Sequence, residues 1–147
     1  MIRKAEAKDK ESIKNIFEEM TGHNISDTEV LNRLQKVSSN ELNSSESLYV
    51  YEYNHKVVGA LGFRVRENQE TKSRYGEISV IVVSEKFQKK GLGKQLMDFA
   101  ETLAIENKCS GTWLVSGFGR KEKAHQFYKS LGYIPTGYKF IKHSIKY

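Results

Sequence analysis

A short glycine-containing segment between two strongly patterned stretches constrains the fold of this chain more than any other feature. Residues 80–83 (Val-Ile-Val-Val) are apolar and β-branched, as in a buried strand, and an amphipathic stretch begins at Lys94. The segment 88–93 between them predicts a strand, a glycine turn and a helix. The first N–H groups of such a helix lack intrahelical partners and, with the helix dipole, favour an anion. The turn is therefore a candidate pyrophosphate site.

Two other glycine motifs are excluded by their spacing. The dinucleotide fingerprint G-x-G-x-x-G requires glycine where this chain has Leu96. The P-loop requires glycine where the chain has Gln88 and a hydroxyl residue where it has Gln95. The pattern that remains is Q-x-x-G-x-G, and a plain glycine turn before a surface helix accounts for this segment alone equally well.

Length and composition favour a single cytoplasmic domain over residues 1–147. The chain has 147 residues, and 38% of them are hydrophobic, which is enough to fill one core. No apolar stretch is long enough to span a membrane, and the charged residues 1–6 do not resemble a signal peptide. One cysteine, Cys109, excludes an internal disulfide, and without neighbouring Cys or His it predicts no metal site.

The net charge of +6 is unevenly distributed along the chain. Residues 1–85 carry 12 basic and 14 acidic side chains, whereas residues 86–147 carry 12 basic and 4 acidic ones. A basic excess that starts at the glycine turn fits a polyphosphate ligand, with nucleic acid as the rival ligand. We rank nucleic acid lower because the basic residues are dispersed and accompany no recognisable RNA-binding signature.

Hydrophobic periodicity predicts an α/β domain with a mixed, mostly antiparallel seven-stranded sheet and four helices. The strands on either side of the glycine turn should be parallel, because a helix connects them. The predicted strands cover residues 1–3, 48–53, 57–65, 74–83 and 112–116, with a closing hairpin over 133–145 that turns at Thr136-Gly137. The predicted helices contain residues 13–20, 26–37, 92–104 and 124–131; polar residues 38–45 end the second, and Gly132 caps the last.

Two separated motifs give the chain a family resemblance. Residues 88–93 are similar to the motif Q/R-x-x-G-x-G/A of the GCN5-related N-acetyltransferases (GNAT), and residues 124–133, A-H-Q-F-Y-K-S-L-G-Y, resemble the motif of their last helix. The closest likeness is to small-amine members such as aminoalkylphosphonate N-acetyltransferases. The resemblance covers residues 77–133 and implies the GNAT fold, with a splayed pair of parallel strands at the cofactor site.

The resemblance implies acetyl-CoA as the acetyl donor. Its pantetheine arm would insert between the splayed strands and pair with the backbone of Ile81, Val82 and Val83. Its pyrophosphate would be wrapped by the turn, where the two glycines let phosphate oxygens approach the backbone. The matched turn residues are Gln88, Lys89, Lys90, Gly91, Leu92, Gly93 and Lys94.

The resemblance also implies a base and an acid. An alkylamine with a pKa of about 10.4 needs roughly 4.6 kcal/mol to lose its proton at pH 7, so a proton acceptor is expected. Glu77 resembles the general base of histone-acetylating members, directly or through water, and a solvated strand-edge carboxylate is the alternative. Tyr128 matches the tyrosine that protonates the departing thiolate, although it also lies on the apolar face of its helix. Lys121 stands where many relatives carry an asparagine that contacts the cofactor.

These features together predict an N-acetyltransferase that acts on the primary amine of a small molecule by direct attack in a ternary complex. A protein lysine or N-terminal acetyltransferase and a non-catalytic acetyl-CoA-binding module are the alternatives. A phosphonate substrate would need cationic partners, which Arg64, Arg66 or Arg74 could supply. We expect neither nucleic acid nor membrane as a partner, and pairing of the closing hairpin between subunits leaves a homodimer open.

Overall fold

The computed structural model describes residues 1–34, 46–116 and 122–143, and in these ranges it has five strands and four α-helices. A 3-10 turn precedes α1 (Ala7–Asp9) and a second one follows β4 (Glu85–Phe87). The strands are β1 (Ile2–Lys4), β2 (Ser47–Tyr53), β3 (Lys56–Glu67), β4 (Arg74–Val83) and β5 (Gly111–Trp113); the helices are α1 (Lys10–Thr21), α2 (Asp27–Leu34), α3 (Leu92–Glu106) and α4 (Glu122–Ser130).

The five strands form one sheet in the order β1-β2-β3-β4-β5. All neighbours are antiparallel except β4 and β5, which are parallel as the strand-helix-strand pattern predicts. Between β2 and β3, Asn54 and His55 both have positive φ, 49° and 62°. Two left-handed residues in succession are what a tight two-residue hairpin turn requires, so the predicted hairpin is confirmed.

The helices of the first unit, Met1–Val115, cover both faces of the sheet. On one face, α1 and α2 contribute to a core of buried residues that also includes Val50, Ala60 and Val82 from the strands. Their neighbours in the strands alternate to the other face. There the Tyr49 ring contacts Phe99 of α3, with centroids 5.0 Å apart. The apolar spacing read from the sequence thus selects the buried side of each helix.

The second unit, Ser116–Tyr147, contains α4. The helix ends at Ser130, and Gly132 caps it as predicted, with a φ of 93°. The Gly132 N–H donates to the Lys129 carbonyl at 3.0 Å, and the Tyr133 N–H donates to the Tyr128 carbonyl at 3.1 Å. This is the Schellman arrangement, in which a left-handed glycine lets the chain satisfy the last helical carbonyls.

The expectation of seven strands is wrong, because the described sheet has five. The predicted closing hairpin is the source of the error, since residues 133–143 contain no strand. Pro135 within this segment has no N–H to donate to a ladder, and Ile134, Tyr138 and Phe140 expose most of their surface. The strand predicted at 112–116 is also shorter, at Gly111–Trp113. Residues 35–45, which include the predicted end of the second helix, and residues 117–121 and 144–147 lie outside the described ranges, and the single domain stays a prediction.

Candidate functional site

The parallel pairing of β4 with β5 is short and leaves much of β4 with an open edge. The ladder joins Tyr75 to Gly111, Gly76 to Thr112 and Glu77 to Trp113. Beyond Glu77, the last six residues of β4 have no strand partner on this side in the described part of the chain. Backbone groups on an unpaired edge need hydrogen-bond partners. The splay of the two parallel strands stays a prediction.

The alternation of β4 decides which of its residues face this edge. The Ser84 N–H donates to the Val58 carbonyl of β3 at 2.8 Å, so Val82, two residues earlier, also directs its backbone groups to β3. Ile81 and Val83 therefore direct theirs to the open edge. The Val83 carbonyl is already engaged, because Gln88 Nε2 donates to it at 3.0 Å. Of the three predicted residues, Ile81 offers both backbone groups.

A β-bulge separates this edge from the β4–β5 ladder. Phe63 of β3 pairs with Ile78 and Gly62 pairs with Val80, so Ser79 is an extra residue in β4. A bulge bends a strand and increases its twist. The bulge lies just past the end of the β4–β5 ladder at Glu77.

The turn that follows β4 presents the N-terminus of α3 without a side-chain cap. Lys89 and Gly91 both have positive φ, 63° and 83°, and this curls the chain before the helix. The first intrahelical bond runs from the Gln95 N–H to the Gly91 carbonyl at 3.1 Å, so the N–H groups of residues 92–94 precede the helical ladder. No acidic residue occupies the first turn. An anion is the natural partner for these amides.

Two contacts that the sequence did not reveal hold this turn in place. Glu19 Oε1 of α1 accepts the Glu85 N–H at 2.7 Å, and Tyr51 Oη of β2 donates to Gln95 Oε1 of α3 at 2.8 Å. Glu19 reads in the sequence as an ordinary residue on the polar side of an amphipathic helix. Its partner is 66 residues away, so no local pattern could have indicated this contact.

Two of the three lysines in the turn contact other side chains. Lys94 Nζ pairs with Asp98 Oδ2 at 2.8 Å, and this hydrogen bond raises the pKa of Lys94. Lys90 Nζ lies 5.3 Å from the centroid of the Phe87 ring. Lys90 and Lys94 are therefore already engaged, whereas the N–H groups of residues 92–94 precede the helical ladder.

Glu77, the predicted base, is half-buried and bound by two arginines of β3. Arg66 Nε donates to Glu77 Oε2 at 3.0 Å. Arg64 Nε lies 2.8 Å from the same oxygen as an ion pair outside hydrogen-bond geometry. These contacts fix the carboxylate on the sheet face that α1 and α2 cover.

Glu46, which the sequence reading missed, is buried beside this group. Arg33 of α2 donates to both of its carboxylate oxygens, at 2.6 and 2.8 Å, and Ser79 in the bulge donates to it as well. Burial raises the pKa of Glu46, but hydrogen bonds from Arg33 and Ser79 more than offset this, and the net pKa is lowered. Glu46 falls in a serine-rich polar stretch that looks like a loop, so its sequence context gave no signal.

Tyr128, the predicted acid, lies in α4 of the second unit and is half-buried. Its ring centroid is 5.5 Å from that of Phe127 and 6.3 Å from that of Tyr133. In the same unit, His125 Nε2 lies 3.1 Å from Ser116 Oγ. Lys121, where the sequence departs from the family motif, is outside the described residues.

Other chemistries find little support in the described ranges. Burial raises the pKa of the Cys109 thiol, which keeps it protonated and a weak nucleophile. No group of three His, Cys, Asp or Glu side chains in these ranges is arranged to hold a metal ion. None of the described helices combines the length and the apolar character needed to cross a bilayer.

The chain is thus an α/β protein with an open strand edge beside an uncapped helix N-terminus. In such a protein, main-chain groups are available to an amide-containing diphosphate. The sequence profile of the acetyltransferase (GNAT) family matches residues 10–133. The chain therefore belongs to the GNAT family and is an acetyl-CoA-dependent N-acetyltransferase. The match confirms the family and not the narrower aminoalkylphosphonate group.

Solved structures with low sequence identity share this fold. A transcriptional regulator from Bacillus halodurans C-125 has a TM-score of 0.83 and 19% identity, covering 97% of this chain and 98% of that one. Glucosamine-6-phosphate N-acetyltransferase from Arabidopsis thaliana has a TM-score of 0.77 and 20% identity, covering 99% and 98%. Ribosomal-protein-alanine N-acetyltransferase from Brucella melitensis biovar Abortus 2308 has a TM-score of 0.73 and 17% identity, covering 100% and 98%.

Proposed function

We propose that this protein transfers the acetyl group of acetyl-CoA to the primary amine of a small molecule by direct attack in a ternary complex. In this proposal Gln88 to Lys94 hold the pyrophosphate mainly through backbone N–H groups. The open edge of β4 pairs with the amides of pantetheine at Ile81 and Val83, and Val82 supports the strand through the core.

The observation that carries the proposal is the open edge of β4 next to the uncapped start of α3. Neither feature is diagnostic alone, since short strands and uncapped helices are common. Their adjacency matches a ligand that has amides at one end and a diphosphate at the other. The residues present thus fit the donor that the family uses.

Glu77 and Tyr128 are the proposed base and acid. Glu77 accepts the amine proton, directly or through a water molecule, and its orientation is fixed by Arg64 and Arg66. Tyr128 donates its hydroxyl proton to the sulfur as the carbon–sulfur bond breaks. The amine nitrogen bonds to the thioester carbon after Glu77 takes one proton, and the second proton that nitrogen loses replaces the one that Tyr128 gives to sulfur. The products are the amide, the thiol and one proton on Glu77, with the amine attacking the thioester directly.

A protein acceptor is the second candidate. Similar solved structures are named for a phosphorylated amino sugar and for a ribosomal-protein alanine, and so include both kinds of acceptor. We favour the small molecule because charged side chains rather than an apolar surface line the sheet face next to Glu77. A protein acceptor would require a groove that admits a peptide.

The experiment is an acetylation assay that follows thiol release. Small primary amines and peptides with a free N-terminus or a lysine are offered in parallel, and both acetyl-CoA and the best acceptor are varied. We expect turnover of a small amine and intersecting initial-rate lines. Turnover of peptides alone would favour the second candidate, and parallel lines with an isolable acetyl-enzyme would contradict direct attack.

A further inference from the structure

Five charged side chains of alternating sign form a continuous row on the sheet face covered by α1 and α2. Arg33 binds Glu46 through two hydrogen bonds, Arg64 Nη2 lies 3.9 Å from Glu46 Oε2, and Arg64 and Arg66 share Glu77. We call this row the arginine–glutamate row; its members are Arg33, Glu46, Arg64, Glu77 and Arg66.

The two carboxylates of the row differ in burial and in how their oxygens are contacted. Glu46 is buried, with 2% of its side chain exposed, and both of its oxygens have partners. Glu77 offers a single oxygen, Oε2, to two guanidinium groups. We call the Arg33–Glu46 half closed, because both carboxylate oxygens have partners. We call the Arg64–Glu77–Arg66 half open, because both guanidinium groups contact a single oxygen of Glu77.

The open half has unused hydrogen-bond capacity. A guanidinium carries five N–H donors. Within the described residues, Arg66 uses Nε on Glu77, and Arg64 Nε is buried without a hydrogen bond despite its ion pair. Arg64 Nε itself is buried, but the side chains of Arg64 and Arg66 as a whole are 25% and 37% exposed.

The charge of the row is also unbalanced. Three guanidinium groups face two carboxylates, which leaves one positive charge. Arg64 and Arg66 are two residues apart on β3 and project from the same face, an arrangement that is unfavourable for like charges. One further anion bound by the two arginines would balance the charge and occupy the unused donors, preferably an oxyanion that accepts two parallel N–H bonds.

We propose that Arg64 and Arg66 bind an oxyanion carried by the acceptor, so that the substrate is an amine with a carboxylate or phosphate group. This inference rests on the proposed function, because it names the acceptor class of the same site. Glu77 lies two residues before the bulge at Ser79 and precedes the open edge of β4. The arginines thus sit on the sheet face beside the strand that receives the donor.

The test compares acceptors that differ in the anion alone. Calorimetry with CoA present measures the dissociation constants of 3-aminopropanoate and of its neutral amide, 3-aminopropanamide; 2-aminoethyl phosphate provides the phosphate arm. We expect at least one of the two anionic amines to bind about tenfold more tightly than the neutral amide. The tighter of the two identifies the oxyanion.

The variants Arg64→Gln and Arg66→Gln should each bind the anionic and neutral amines with similar affinity. Lys4→Gln, which removes the same charge from an exposed position on β1, should keep the wild-type preference. Equal binding of both anionic amines and the amide by the wild type overturns the inference without any variant. An unchanged preference in both arginine variants also overturns it.

A separate titration with CoA distinguishes this failure from failure of the proposed function. CoA binding with no preference for an anionic amine overturns only the acceptor class. Loss of CoA binding in the wild type overturns the proposed function and the inference with it.

Discussion

At the scale of single residues, the donor site that we propose depends on the backbone more than on charged side chains. Lys94 is paired with Asp98 and Lys90 lies over Phe87, whereas the left-handed φ of Gly91 shapes the turn itself. The proposed site therefore rests on the spacing of the glycines rather than on the lysines beside them.

Replacement of Tyr128 tests the acid role. We expect Tyr128→Phe to lower kcat by about 10²- to 10⁴-fold, the usual range for loss of a general acid, because the thiolate must then leave unprotonated. The dissociation constant for acetyl-CoA should stay nearly unchanged. Steady-state kinetics and calorimetry measure the two quantities, with Tyr138→Phe at an exposed position as the matched control. An unchanged kcat would remove Tyr128 from the mechanism.

For Glu77, the sequence predicted the position but not the contacts. Its place before the glycine turn was readable, but its bonds to Arg64 and Arg66 were not, because the pairing of β3 with β4 and the bulge set them. The same holds for Glu46, whose partners Arg33 and Arg64 come from α2 and β3. Spacing along the chain predicts the glycine turn, but not the side-chain network around Glu77.

At the scale of elements, a glycine at the start of α3 affects helix stability and ligand approach in opposite directions. A glycine inside a helix lowers the stability of the helix by up to about 1 kcal/mol relative to alanine. The absence of Cβ, however, lets an anion approach the backbone. Gly93, the second residue of α3, is where these two effects conflict.

Gly93→Ala should therefore change stability and affinity in opposite directions. We expect the free energy of unfolding to stay equal or rise by up to about 1 kcal/mol. The dissociation constant for CoA should rise at least about tenfold, a cost of about 1.4 kcal/mol. Denaturant unfolding and calorimetry test this. An alanine variant that binds CoA as well as the wild type would show that no ligand approaches this glycine.

The first strand is joined to the 3-10 turn before α1 by a largely buried ion pair. Arg3 donates to both oxygens of Asp9, at 2.8 and 2.9 Å, and only 4% of Asp9 is exposed. The hydrogen bond from Arg3 lowers the pKa of Asp9. The stability that this pair contributes is therefore present above the unfolded pKa of about 3.9 and is lost as the pH falls through the lower folded value.

Asp9→Asn should lower the free energy of unfolding at pH 7 by about 1.5–3 kcal/mol, the range for hydrogen bonds to charged groups. The difference from the wild type should shrink as the pH falls below about 4, where Asp9 becomes protonated in the unfolded chain, and should vanish once the folded carboxylate is protonated as well. Urea unfolding at several pH values measures it, with the exposed Asp98→Asn as the control. A difference that is constant with pH would contradict the assigned pair.

Elements with strong local signals were predicted closely, and those without them were not. β4 has the predicted bounds, residues 74–83, because an apolar run is bounded by a polar loop and the turn. The two closing strands were inferred from aromatic residues and a Thr-Gly turn, which favour strands only if a neighbouring strand is available to pair. Since β5 is only three residues long, its ladder offers little for further pairing.

At the scale of the whole molecule, we expect the uneven distribution of charge to affect ligand binding. Residues 1–85 carry a net charge of −2 and residues 86–147 carry +8, and the donor turn begins in the basic part. A field of this kind attracts a polyanionic ligand and is screened by salt. We expect the dissociation constant for CoA to rise several-fold between about 0.05 and 0.5 M salt. An affinity that is independent of salt would contradict a charge-assisted diphosphate site.

The central claim is that the turn between β4 and α3 binds the donor by its diphosphate. Calorimetric titration with CoA and with pantetheine, which has the amides but no diphosphate, tests it most directly. The account predicts one CoA per chain and binding of pantetheine that is weaker by about 100-fold or more, since several charge-assisted hydrogen bonds are lost. No association with CoA, or equal affinities for CoA and pantetheine, would contradict it.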